Sequence, residues 1–81
     1  MRLPRDWGGE KLAKLLKRYG YEVTRQTGSH MRLTTHRGGE HHITIPRHSP
    51  LRVGTLNSIL KDVAGHLGIE RDELLRELMG R

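Results

Sequence analysis

The chain has 81 residues, no cysteine and a formal charge of +6. A single small domain (1–81) is expected, its core built from Leu, Ile and Val, because Phe is absent and there are only one Trp and two Tyr. Disulfide staples and thiolate metal sites are excluded. No apolar run approaches the roughly 18 residues that span a bilayer. Met1-Arg2-Leu3-Pro4-Arg5-Asp6 has no apolar signal region, a pattern compatible with a cytoplasmic protein. Eleven Arg against four Lys carry the positive charge. The planar guanidinium forks suit phosphate, so a nucleic acid is the first partner to consider.

Leu12, Leu15, Leu16 and Tyr19 recur at i, i+3, i+4, i+7, which predicts a helix over 10–19 with Lys11, Lys14, Lys17 and Arg18 on the other side. Gly20 suits its end. Gly8-Gly9 offers no side-chain cap at its start, and Asp6 is the nearest residue able to supply one. Three strands follow. Tyr21 and Val23 share a parity in the first, opposed by Glu22, Thr24 and Gln26. Met31 and Leu33 oppose His30, Arg32, Thr34 and His36 in the second, and His41, Ile43 and Ile45 oppose His42 and Thr44 in the third. Such alternation marks a sheet with one buried and one wet face. Gly28-Ser29 and Gly38-Gly39 read as the two turns, giving an antiparallel meander.

Residues 46–53 read as a loop. Thr55 is the expected N-cap of a second helix whose stripe is Leu56, Ile59, Leu60, Val63 and Leu67, stopped at Gly68. A third helix is expected over 71–79, with Leu74, Leu75 and Leu78 apolar and Glu70, Asp72 and Glu73 near its positive N-terminal end. Its leucines are either core or a contact for a second copy of the chain. The order helix, three strands, helix, plus one more helix, gives a two-layer α+β domain like the double-stranded-RNA-binding domain, with the helices on one face of the sheet. Trp7 either stacks on a base or closes one end of the core.

His30 is the residue that stands out for chemistry. Strand parity puts it on the wet face with Arg32, immediately after the Gly28-Ser29 turn. A histidine exchanges a proton near neutral pH, and RNA brings its own nucleophile, the 2′-hydroxyl, so proton removal and charge stabilisation suffice without a metal or other cofactor. Ser29 and the amides near Gly28 could bind a phosphate oxygen. Read from the residues alone, a solvated strand histidine is the competing interpretation. His36, His41, His42 and His48 with Glu40 raise a zinc site, but His41 and His42 are adjacent and point to opposite faces, which does not suit metal ligation. Arg47, His48 and Arg52, with Thr55 and the amides at the start of the second helix, form a candidate phosphate-binding loop.

The segments Leu12-Ala13-Lys14-Leu15-Leu16, Gly20-Tyr21, Gly28-Ser29-His30, Thr44-Ile45-Pro46-Arg47-His48 and Gly54-Thr55-Leu56-Asn57-Ser58-Ile59-Leu60-Lys61, in this order, resemble the HicA (YcfA-like) toxin family across about residues 7–64. The third helix, 69–80, is then an appended element. The chain departs from the usual family pattern with Met31-Arg32-Leu33 after the Gly-Ser-His motif and with Gly8-Gly9 before the first helix. The resemblance implies a metal-independent mRNA interferase with His30 as its catalytic residue, RNA as substrate, and a HicB antitoxin that covers the active-site face. Two other functions fit the same fold: a non-catalytic RNA-binding module, and an interaction protein that pairs through its third helix.

Overall fold

Helix α1 (Gly9–Leu16) forms where Leu12, Ala13 and Leu16 fall on one side, and all three are buried. The computed structural model describes residues 2–80 of the chain. A short 3-10 turn (Lys17–Tyr19) extends α1 and ends at Gly20, whose φ of 86° is the left-handed conformation glycine adopts at little cost. No side chain caps α1; Gly8 is its N-cap, and the Gly9 N–H donates to the His48 carbonyl at 2.8 Å. The expected Asp6 cap is therefore replaced by a backbone bond from another part of the chain. A Cβ on Gly9 would lie 1.9 Å from the Pro46 carbonyl oxygen, so the glycine is what lets α1 approach this closely.

The sheet is an antiparallel meander in the order β1 (Glu22–Gln26), β2 (His30–Thr35), β3 (His41–Pro46). Register between β2 and β3 is regular, from His30 opposite Pro46 to Thr35 opposite His41. Met31, Leu33, Ile43 and Ile45 are buried on the inner face, as their parity predicts. Strand β1 departs from the expected alternation. All five of its residues are exposed, Val23 at 40%, and the ladder breaks between Val23 and Arg25. The apolar anchor of this segment is Tyr21, fully buried and just ahead of the strand.

Helices α1 and α2 (Val53–Leu67) pack on β3, and α3 (Arg71–Leu78) packs on α2. Helix α2 begins before Thr55: Arg52 is its N-cap, so Thr55 is the third helical residue and caps nothing. Leu74, Leu75 and Leu78 of α3 are buried in the same cluster as the sheet and α1. Burying each leucine is worth about 1.5–3 kcal/mol, a large share for a domain whose net stability is about 5–15 kcal/mol. The α3 stripe is thus core of this chain rather than a free contact for a second copy. Polar bonds tie the helix down as well: Arg71 donates to Asn57 Oδ1 at 2.7 Å, and Tyr19 Oη donates to Glu77 Oε1 at 2.5 Å. Trp7 is 6% exposed and closes one end of the core, which settles its role in favour of packing.

Candidate active site at the head of the second strand

The turn before β2 is fixed by Thr27, a residue that strand and turn patterns do not single out. Its hydroxyl oxygen accepts the N–H groups of Ser29 (3.3 Å) and His30 (3.1 Å), and its own N–H donates to the His30 carbonyl at 2.9 Å. The Arg47 N–H donates to the Ser29 carbonyl at 2.8 Å, which ties the turn to the chain leaving β3. His30 therefore starts from a backbone held on both sides, although its side chain is exposed. Ser29 Oγ lies 2.9 Å from His30 Nδ1. Gly28 has no positive φ and no neighbour that a Cβ would strike, so its small size leaves the surface before His30 open.

His30 lines a shallow groove of about 640 Å³ together with Thr44 and Pro46 of β3 and Arg52, Gly54, Thr55, Ser58 and Ile59 at the start of α2. No side chain caps α2. The first-turn N–H groups of such a helix lack intrahelical acceptors, and with the helix dipole they favour an anion. The groove thus brings together His30, Arg52 and Thr55 from the residues that the sequence nominates. Arg32, opposite Thr44, shares the sheet face but sits beyond the groove. Thr44 and Ser58 were not nominated; the register set by the Gly38-Gly39 turn is the signal that could have found Thr44.

Arg47 and His48 lie elsewhere. They line a smaller depression of about 220 Å³ with Asp6, Gly8, Gly9, Glu10, Lys11 and Ser49. The Arg47 guanidinium bridges Glu10 at 3.0 Å and the Thr27 carbonyl at 3.3 Å, so it fastens α1 to the turn before His30. Arg47 acts on the site through this brace, and the structure does not bring it into the groove.

The remaining histidines of the sheet are differently placed. His41 Nδ1 meets the Tyr21 hydroxyl at 2.7 Å, its Nε2 meets Asp62 Oδ1 at 3.1 Å, and its ring stacks on His66 at 4.5 Å. Burial pushes the Tyr21 hydroxyl up to about 12, with a further contribution from Asp62. His42 is held by Thr34 Oγ1 at 2.7 Å and Glu40 Oε2 at 2.8 Å. Among the described residues no three His, Cys, Asp or Glu side chains are grouped so as to hold a metal ion, and no helix is long and apolar enough to cross a membrane.

The sequence model of the HicA toxin of bacterial toxin–antitoxin systems matches residues 9–64, from the first residue of α1 to near the end of α2. The chain belongs to the HicA toxin family. Membership makes it a toxin of a toxin–antitoxin system, with an antitoxin as its partner. The match takes in the Gly28-Ser29-His30 turn, the whole sheet and every residue of the groove. No curated protein and no solved structure matches the chain.

Proposed function

We propose that this HicA-family toxin is an endoribonuclease that cleaves mRNA with His30 as its proton-transfer residue and needs no metal. The observation that carries the reading is the placement of His30. One ring nitrogen is engaged by Ser29 at 2.9 Å, while the side chain is exposed over a groove whose far wall is the uncapped start of α2. In the tautomer whose Nδ1–H donates to Ser29 Oγ, Nε2 keeps its lone pair, the form a general base requires.

RNA lying in the groove would present a phosphate to the α2 amides, Thr55 and Arg52, with Arg32 and His48 meeting the strand on either side. His30 Nε2 takes the 2′-hydroxyl proton. The 2′-oxygen forms a bond to phosphorus, the P–O5′ bond breaks, and the leaving 5′-oxygen takes a proton from water or from His30. The products are a 2′,3′-cyclic phosphate and a 5′-hydroxyl. Amides and guanidinium groups aimed at the phosphate stabilise the charge gathered on its oxygens. Gly28 keeps the approach open, and Arg47 braces the turn. An acidic antitoxin of the HicB type would silence the enzyme by covering this positively charged face, and the reaction would take place in the cytoplasm, where mRNA is found.

The test is incubation of antitoxin-free protein with single-stranded RNA in excess chelator, beside His30→Ala. Cleavage to cyclic-phosphate ends that disappears in the variant supports the reading. A folded wild type that leaves RNA intact would sink it, and equal cleavage by both proteins would remove His30 from the mechanism.

A further inference from the structure

Strand β1 carries a bulge whose effect on side-chain direction bears on substrate binding. Up to Val23 the ladder is regular, with Glu22 opposite Thr34 and Val23 opposite Leu33. Continued without interruption, it would set Thr24 against Arg32 and Arg25 against Met31, on the buried face. The register shifts instead, and Arg25 pairs with Arg32. One extra residue in a strand moves the side chains that follow to the other face. Arg25 thereby joins Arg32 on the face that bears His30. Thr24, the inserted residue, is pinned there: its hydroxyl lies 2.9 Å from Thr34 Oγ1 and donates to the Arg32 carbonyl at 3.3 Å.

Like charges directly opposite on neighbouring strands destabilise a sheet. Among the described residues neither arginine has a carboxylate within ion-pair distance. The acids of this face are Glu40, hydrogen-bonded to His42, and Glu22, opposite Thr34 and so two residues along β2 from Arg32. Glu40 offsets the charge of Arg32 in part, and a bound anion would offset the repulsion that remains between the two guanidinium groups. Arg32 is two residues from His30, about 7 Å along the strand, which is too far to share one phosphate oxygen with it and near enough to serve the next phosphate.

We propose that the β1 bulge recruits Arg25 to the His30 face, where Arg25 and Arg32 together grip an RNA backbone phosphate beside the one under attack. This rests on RNA being the substrate; it adds a binding residue, Arg25, and a direction, since the strand would run from the groove across the open sheet towards β1. Planar forks on two neighbouring strands can offer bidentate contacts to one phosphate from two sides.

The probe is a single-stranded 2′-O-methyl oligoribonucleotide, which keeps every phosphate and lacks the nucleophile. Its affinity is measured for wild type, Arg25→Gln, Arg32→Gln and Lys17→Gln at several salt concentrations. Arg25→Gln and Arg32→Gln are each expected to weaken binding about fivefold and to reduce the salt slope by about 0.7. Lys17→Gln makes the same charge change on the helical layer and is expected to shift affinity less than about twofold. Without RNA, the thermal midpoint of Arg25→Gln should equal or exceed that of wild type, because the repulsion has gone. An Arg25→Gln effect no larger than that of Lys17→Gln overturns the proposal, whatever the variant does to antitoxin binding. Cleavage of ordinary RNA is followed separately, so a wild type that binds this probe through Arg25 but cuts nothing rejects the enzymatic reading alone.

Discussion

The two ends of the sheet treat a histidine in opposite ways. At the start of β3, His41 has both ring nitrogens occupied, by Tyr21 and Asp62, and a second imidazole stacked on it. At the start of β2, His30 has one nitrogen engaged by its neighbour Ser29 and is open to solvent above a groove. The first arrangement leaves neither ring nitrogen free; the second leaves one without a hydrogen-bond partner among the described residues. Residue type is the same at both ends, so on the function proposed above the availability of the second nitrogen, rather than the presence of histidine, separates a structural group from a reactive one.

The sharpest way to break this contrast is to exchange the outcomes of two alanine variants. His30→Ala is expected to lower RNA cleavage by on the order of 10²–10⁴-fold with an unchanged urea midpoint, because the side chain is exposed. His41→Ala should do the reverse. It leaves the buried Tyr21 hydroxyl without its partner, costing about 1–3 kcal/mol in urea unfolding, while the folded fraction cleaves at the wild-type rate. If His41→Ala lost cleavage with its stability intact, the division of roles would be wrong.

A comparable loss is expected at the groove end from Gly9→Ala. The added Cβ meets the Pro46 carbonyl, and forced overpacking of this kind costs about 1–3 kcal/mol in denaturant unfolding. The strain falls on the residue that pairs with His30, so cleavage per folded molecule should also fall. At the other end, Tyr21→Phe removes one hydroxyl and should cost about 1 kcal/mol. It should also soften the alkaline limit. The fold favours the neutral phenol and raises its pKa from 10.0 to about 12. The stability this contributes is full below about pH 10 and is lost as pH rises through 12. Unfolding followed from pH 9 to 12 should show a shallower fall in the variant. The remaining slope belongs to Tyr19, pushed up to about 12 by burial and by Glu77.

The smallest effect is expected at Glu40, whose hydrogen bond from His42 holds its carboxyl below the usual range. A lowered pKa contributes stability above the ordinary carboxylate value, and that stability is lost as pH falls through the lowered one. Glu40→Gln should remove a slight acid-side decline in the thermal midpoint. A decline of the same size in the variant would assign it to another carboxylate.

Much of this was legible in the chain because the signals are local. The alternation of Met31 and Leu33 against His30 and Arg32 assigns faces from six consecutive residues, and Gly38-Gly39 sets the hairpin. What escaped depends on partners remote in sequence or on a break in periodicity. Arg47 looks like a free cation until Glu10, 37 positions away, is seen beside it. Thr55 is a better side-chain cap than Arg52, but the turn of α2 that it would open has already begun at Val53. The β1 bulge reverses parity partway through five residues, and an alternation rule read along one strand has no means of detecting that.

Helix α3 gives the family boundary a physical meaning. The segment shared with the HicA family stops at residue 64, but the buried core extends through Leu78, because Leu74, Leu75 and Leu78 belong to the same apolar cluster. A gene fragment trimmed to the shared segment would encode a chain with an uncovered hydrophobic wall, prone to self-association and to capture by quality-control proteases. The apolar core of this toxin thus extends beyond the segment by which its family is recognised.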